Sequence, residues 1–370
     1  MSGFRAVRRR FPDLPGWLAD DPTASLAAFI RSARYATESK PYGSPPSAPS
    51  HADFLPAYRA ALALVPADIG ADAARAFFET WFEPFEIVPD EGEGRVTAFY
   101  EPVVEVRATE DPAFRFPFLR PPENLHKVED PQNPPQGVPV GHAFCLEVDG
   151  RAESCPDRRA IESGAFAGQG LEIAYARDAA DVFFAHVQGC ARLDFGDGRL
   201  SRITYAAKSG HPFTGIGRLL VERGEIAPET VSMQAIRTWL ALHPDEAAEL
   251  MWQNRSFIFF HEAEVEDERL GPIAAAKVPL EPGRSVAVDR TVHRFGTPFF
   301  VSAPNLPDFD LDRPFARLMI AQDTGSAIVG PARGDLFTGS GERAGALAGG
   351  VNAVATFFAF FPRGFEPERR

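Results

Sequence analysis

GRSVAVDR (283–290), followed by LMIAQDTGSAIVGPARGDLFTGSGERAGALAGG (318–350), decides how this chain is read. The runs Val286 to Val288, Leu318 to Ala321, and Leu336 with Phe337 are apolar, short and bounded by Gly or Pro. Such runs predict buried β-strands rather than helices. An aspartate follows or interrupts each run: Asp289, Asp323 and Asp335. Gly325, Gly330, Gly334, Gly339 and Gly341 permit tight turns and close approach of a ligand to the backbone. An Asp near Gly most often only caps a turn. Taken together, the alternation of strand, acid and glycine suits a β-barrel that presents carboxylates at a cleft.

Composition narrows the field. The chain has 370 residues, 45% of them hydrophobic, enough for a substantial core and two domains. Its formal charge of −13 argues against nucleic acid as a partner. The counts of 32 Phe and 34 Pro suit many short strands and loops better than a helix bundle. Three cysteines, Cys145, Cys155 and Cys190, are too few for a disulfide scaffold, although a Cys145–Cys155 pair stays open. No His-rich or Cys-rich spacing suggests a metal site. The basic start MSGFRAVRRR is followed by no apolar segment, and no run of 18 apolar residues occurs, so neither an export signal nor a membrane span is visible in the sequence.

Working outward, residues 22–36 predict a helix with Leu26, Phe29 and Ile30 on its apolar stripe, capped by Asp20 or Asp21 and with Pro22 in its first turn. Further helices are expected near 51–64 and 70–83, where Phe77, Phe78, Trp81 and Phe82 have core-like helical spacing. From about 94 the pattern alternates. GRVTAFYEPVVEVRAT (94–109), LEIAYARD (171–178), DVFFAHVQGCARLDF (181–195) and RLSRITYAAKSGHPF (199–213) all read as strands, with Asp197-Gly198 as a two-residue hairpin turn. Residues 213–256 return to three helical pieces separated by Gly224 and His243-Pro244, with Thr230 or Ser232 as a cap. SFIFFHEAEV (256–265) is again a strand, and the last residues, 364–370, read as a tail.

Several local groups invite chemical readings. Tyr100-Glu101-Pro102 ends a strand and places an acid where it can meet a sugar hydroxyl, or simply closes the strand before Pro. Gln188 beside Gly189 can face a groove or mark a β-bulge; Cys190 lacks a recognisable His or Asn partner and reads as inert packing. Gly215-Ile216-Gly217-Arg218 is only a fragment of a phosphate loop and reads better as a helix start. The carboxylates remain. Glycosidic cleavage needs a carboxylic acid to protonate the leaving oxygen, and usually a second acid beside it. Asp323 and Asp335, on consecutive strands, can meet across a cleft, where burial and a like charge would keep one protonated.

The chain resembles the membrane-bound lytic murein transglycosylase A family. The resemblance runs from Leu14-Pro15-Gly16-Trp17 to Phe361-Pro362 and is carried by FYEP (99–102), VQGCARLDFGDG (187–198), HPFTGIGRLLVERGEI (211–226), SMQAIRTWL (232–240), GRSVAVDR (283–290) and the tract 321–349. It implies an α+β, mainly β protein: a double-psi β-barrel with a second, smaller inserted β-barrel domain. The implied division is 1–93 (helical part of the catalytic domain), 94–212 (insert), 213–262 (helical connection back), 263–363 (the barrel, termed the 3D domain) and 364–370 (tail). The implied reaction cleaves the β-1,4 bond between N-acetylmuramic acid and N-acetylglucosamine in peptidoglycan, with the C6 hydroxyl attacking C1 to leave a 1,6-anhydro end. Asp335 matches the acid/base, Asp323 its supporting acid and Asp289 a structural third. Tyr100, Glu101, Gln188, Gly325, Ser326 and Gly339 are the expected substrate contacts. The resemblance further implies a monomer acting on glycan strands in the periplasm, at the outer membrane or with a cell-wall synthesis or division complex, without cofactor or metal. The alternatives are a non-catalytic peptidoglycan-binding protein and a glycoside hydrolase using the same groove. Two departures from the family pattern, at Ala98-Phe99 and at Gly189-Cys190-Ala191, bear on groove shape and leave the acids intact.

Overall fold

The computed structural model describes residues 3–64, 69–306, 309 and 313–367; the Pro/Asp-rich spacer at 307–308 and 310–312 and the tail end at 368–370 lie outside it. The chain divides into two compact units, Met1–Tyr100 with Val265–Arg370, and Glu101–Glu264. The expected boundary of the insert at 212/213 therefore differs from the observed one, because the helices after it pack within the second unit.

The first unit opens with β1 (Phe4–Arg8), α1 (Thr23–Glu38), α2 (His51–Leu62), α3 (Ala71–Trp81), β2 (Phe82–Pro89) and β3 (Arg95–Glu101). The second carries β4 (Val103–Arg107), β5 (Phe116–Leu119), β6 (Leu125–Lys127), β7 (Phe144–Val148), β8 (Arg151–Glu153), α4 (Arg158–Glu162), β9 (Glu172–Ala176), α5 (Ala179–Gln188), β10 (Cys190–Asp194), β11 (Leu200–Lys208), α6 (Ile216–Glu222), α7 (Met233–Leu242), α8 (Pro244–Trp252) and β12 (Ile258–Glu262). The first unit resumes with β13 (Ser285–Val288), β14 (Pro298–Ala303), β15 (Phe315–Asp323), β16 (Arg333–Ser340), α9 (Gly341–Gly349), β17 (Asn352–Val354) and β18 (Thr356–Pro362).

In the first unit the described strands form one mixed sheet in the order β1-β2-β18-β14-β15-β13-β16-β3-β17. β13 runs parallel to β15 and antiparallel to β16. This crossed order fits the double-psi barrel expected from the resemblance. Its central strands are buried on both faces, which is why they read as continuous apolar runs instead of alternating ones. Phe300, Leu318 and Ile320 face Trp17, Phe29, Phe54, Phe78 and Phe82 of the helical layer. Their neighbours Phe299, Val301 and Met319 face Val286, Val288, Leu336 and Phe357. The helical layer is pinned by polar contacts as well. Asp20, 3% exposed, pairs with Arg284 at 2.8 Å and accepts from the Leu318 amide at 2.8 Å. Asp21 is the acid that serves the start of α1, accepting from the Thr23 amide at 3.0 Å, while Pro22 occupies the cap position itself.

The second unit holds a sheet in the order β12-β11-β10-β4-β9-β5 and a small one, β6-β7-β8. One expectation fails here. DVFFAHVQ is not a strand but α5, which packs nearly all of its surface. A helix buried on most sides loses its amphipathic period, so its apolar run looks like a strand. The Asp178 side chain starts it by accepting from the Ala180 amide at 2.9 Å, and Gly189, at φ +75°, ends it. The hairpin also differs: Asp194 pairs with Leu200, so the connection is a loop over 195–199, not a two-residue turn. The three helical pieces are present as α6, α7 and α8, with Ser232 accepting from the Ala235 amide at 3.1 Å. They share a core with Phe183 and Phe184 of α5, through Leu220, Trp239, Leu240, Leu250 and Met251. The three cysteines are buried and free. Among the described residues no helix is long and apolar enough to cross a membrane.

Candidate active site

The acids are brought together by a single row of the first unit's sheet. Ala287 on β13 is the register partner of Asp323 on β15 and of Asp335 on β16. Residues opposite one another in a ladder project from the same face, so Asp323 and Asp335 flank Ala287 at about 10 Å, two strand spacings, between backbones. They do not lie on adjacent strands, as consecutive order in the chain suggests. A bulge makes the meeting possible. Val286 pairs with Ala321, and the next residue, Ala287, pairs with Asp323, so Gln322 is an extra residue in β15. Inserting one residue re-aims the side chain that follows it. Gln322 is anchored against α1, donating to the Ala28 carbonyl and to Ser32 Oγ, both at 2.9 Å, and accepting from Ser285 Oγ on β13.

Each acid has a different environment. Asp335 is half-buried, and its Oδ1 accepts from Thr97 Oγ1 on β3. Thr97 Oγ1 in turn accepts from Arg333 Nη2 at 2.7 Å. Burial raises the Asp335 carboxyl above the ordinary range, against the pull of the Thr97 hydrogen bond and the Arg333 charge. Asp323 is also half-buried, with Oδ1 accepting from the Ala275 amide at 3.2 Å. Burial pushes it up to about 6 despite the Thr324 and Ala275 amides, and the nearby Asp335 charge adds to the rise. Asp289 behaves oppositely. Burial opposes ionisation, but hydrogen bonds from Thr291 and Gly330 outweigh it and hold the carboxyl below its usual value. Its Oδ1 accepts from the Thr291 amide at 2.9 Å and hydroxyl at 2.6 Å, and its Oδ2 from the Gly330 amide at 2.8 Å. Asp289 thus ties the turn after β13 to the end of the 324–330 loop. That arrangement suits a structural acid.

The other expected contacts are scattered. Gly325 and Ser326 lie exposed on the loop between β15 and β16. Gly339, at φ +123°, is where β16 turns toward α9, a conformation that favours glycine. Tyr100 is 6% exposed at the end of β3, with its ring against Gly345 of α9, where an added Cβ would come within 2.7 Å. Glu101 and Gln188 belong to the second unit. Glu101 is 0% exposed, paired with Arg202 Nε at 3.0 Å and Arg192 Nη2 at 3.3 Å. That is the setting of a buried ion-pair anchor, and a poor one for a sugar contact. Gln188 is the last residue of α5 and half-buried, where a strand was expected. Among the described residues no group of three His, Cys, Asp or Glu side chains is placed to ligate a metal.

Thr97 and Arg333 went unnoticed in the sequence. A partial signal existed: Arg333, Asp335 and Phe337 alternate on one face of β16, as Thr97 and Phe99 do on β3. Phe99 and Phe337 do meet, at 5.3 Å between ring centroids.

Comparison with known proteins places this geometry. Residues 95–261 match the model of the MltA specific insert domain, and 284–360 match the 3D domain. The crystal structure of a membrane-bound lytic murein transglycosylase from Agrobacterium tumefaciens superposes with a TM-score of 0.89 and 49% identity, covering 97% of this chain and 98% of that one. The chain belongs to the membrane-bound lytic murein transglycosylase A (MltA) family. Escherichia coli K12 membrane-bound lytic murein transglycosylase A is 35% identical over 269 residues, covering 70% of this chain and 64% of that protein. The chain thus spans under two thirds of the length of that curated MltA relative. The structure of E. coli MltA with bound chitohexaose shares 26% identity and a TM-score of 0.68, covering 97% of this chain and 91% of that one. Within the MltA matches, the 3D domain contains all three aspartates and Arg333, while the insert domain begins at Arg95 and takes in Thr97. Thr97 nonetheless serves the first unit, since β3 pairs into that unit's sheet.

Proposed function

We propose that this protein is a lytic transglycosylase that cleaves the β-1,4 bond between N-acetylmuramic acid and N-acetylglucosamine in peptidoglycan. The observation that carries the reading is the Asp323–Ala287–Asp335 row, in which two carboxyls share one face and both are raised above their ordinary values. A raised carboxyl keeps a proton to give near neutral pH. Asp335 is the general acid/base: its proton passes to the glycosidic oxygen as the C1–O bond breaks. The muramoyl C6 hydroxyl then attacks its own C1, and its proton returns to Asp335. The products are a free 4-hydroxyl and a 1,6-anhydro end, with no water consumed. An internal nucleophile is already positioned by the sugar ring, so one acid/base group suffices. Asp323, in its ionised form, stabilises positive charge developing at C1.

Binding of a glycan is supported by family membership and by the chitohexaose bound to the E. coli relative. Peptidoglycan lies outside the cytoplasmic membrane, so the proposal places the protein in the periplasm, associated with a membrane as its curated relatives' name states.

The test is incubation with purified murein sacculi and mass spectrometry of the released muropeptides. Anhydro ends from the wild type, lost by about 10²–10⁴-fold in Asp335→Asn while sacculus binding persists, are the expected result. Reducing ends would make the protein a hydrolase. Binding with no turnover by the wild type would make it a glycan-binding module.

A further inference from the structure

We propose that Arg333 is a positioning residue that acts on Asp335 through Thr97, committing the threonine proton to Oδ1 and leaving Oδ2 as the oxygen that carries the reaction proton. The inference rests on the assignment of Asp335 as acid/base and concerns how that acid is held.

The direction of each hydrogen bond follows from chemistry. A guanidinium has donors and no acceptor, whereas a threonine hydroxyl has one proton and two lone pairs. Arg333 Nη2, 2.7 Å from Thr97 Oγ1, must donate to it. The hydroxyl's one proton points at its other side-chain partner, Asp335 Oδ1. Without Arg333 the same hydroxyl could rotate and accept from a protonated Asp335. With Arg333 donating to one lone pair and the hydroxyl proton directed at Oδ1, the orientation in which Thr97 donates to Asp335 is favoured. In that orientation Oδ1 is an acceptor, and a proton on Asp335 resides on Oδ2.

The arrangement is held from both sides. Arg333 and Asp335 are two residues apart on β16 and share a face, and the other guanidinium nitrogen, Nη1, donates to the Gly334 carbonyl. Thr97 sits on β3, next to β16 in the sheet. The charged groups around Asp335 are Arg333 on its own strand, Asp323 at the end of β15, and Arg95 on β3, whose charge bears on Arg333. Arg95 is itself occupied, donating from Nε to Asn352 Oδ1 at 2.7 Å. Among the described residues, Arg333 has a hydrogen-bonded route to the acid, through Thr97. The consequence is a carboxyl on which burial favours the proton while Thr97 and Arg333 favour the anion once that proton has left, which suits a group that must act as acid and then as base.

The experiment compares the pH dependence of kcat/KM on sacculi for the wild type, Arg333→Met, Thr97→Val, Thr97→Ser and the Arg333→Met/Thr97→Val double variant. It also follows the Asp335 carboxyl by ¹³C NMR of Asp-labelled protein, assigned by its loss in Asp335→Asn. Removing the relay should move the alkaline limb and the carboxyl titration upward together by roughly one pH unit in Arg333→Met and in Thr97→Val. Thr97→Ser, which keeps the hydroxyl, should restore the wild-type profile. The double variant should shift by less than the sum of the two single changes, as expected of residues acting through one another. An Asp335 titration unmoved in folded Arg333→Met, or strictly additive shifts, would overturn the relay. The NMR titration needs no turnover, so a protein that cleaves nothing would sink the transglycosylase reading while leaving the relay to be judged separately.

Discussion

Asp323 should make the folded protein less stable at neutral pH than a neutral side chain would in its place. Its carboxyl lies at about 6 in the fold, against 3.8 for an ordinary aspartate. The sign follows from proton counts. Between these two values the folded chain holds a proton that the unfolded chain has lost, so stability falls as pH rises through that window. Above it both forms are ionised and the full penalty, about 3 kcal/mol at 1.36 kcal/mol per pH unit, is present. Replacing Asp323 with Asn removes the ionisation. The stability gap between Asp323→Asn and wild type should therefore grow from about 0.5 kcal/mol at pH 4 to about 1.6 at pH 5 and about 3 above pH 7. For a unit of this size, 1 kcal/mol moves Tm by about 2–4 °C, so the gap at pH 7.5 is several degrees. The amide presents one acceptor to the Ala275 and Thr324 N–H groups where the carboxylate presented two. That difference lowers the variant's stability by an amount independent of pH. The diagnostic quantity is thus the pH dependence of the gap, measured by urea unfolding on either side of the sequence isoelectric point near 5.2. A gap that stays constant from pH 4 to 8, or shrinks as pH rises, would refute the account.

Two further perturbations probe the acids that the fold uses structurally. Glu101→Gln keeps the shape of the side chain but removes the buried charge that pairs with Arg192 and Arg202, and should cost the second unit about 3–5 kcal/mol, read as an early transition in denaturant unfolding. Asp289→Asn weakens three hydrogen bonds to a carboxylate and should cost about 1.5–3 kcal/mol at neutral pH, a deficit that disappears as acid protonates the wild-type residue; hydrogen exchange of the Gly330 amide reports it directly.

Much of this architecture was legible because local chemistry and global fold agree. The runs at Val286, Leu318 and Leu336 became strands since both of their faces are covered, and α7 begins at Ser232 because a cap there is worth more than continuing the loop. The failures have equally specific causes. DVFFAHVQ hid its helical period because it buries nearly every side. The ion pairing of Glu101 was not legible either, because its partners, Arg192 and Arg202, are distant from it in sequence and become neighbours only when β10 and β11 pair.

The site itself shows where sequence reading stops. The sequence identifies Asp323 and Asp335 as acids near strand ends, but their meeting depends on β13 lying between β15 and β16 and on Gln322 being bulged out of register. Neither condition leaves a mark in the local pattern. A strict two-residue alternation would set Asp323 on the same side as Ala321, which faces the apolar core with Met319 and Leu336. One inserted residue turns the carboxylate toward Ala287 and Asp335 instead. The anchoring of Gln322 by Ala28 and Ser32 of α1 is therefore part of the active-site architecture, although Gln322 is fully buried and faces the helical layer. The helices at the start of the chain thus bear on the aspartates near its end through one buried amide, and through them on the charge the row can hold.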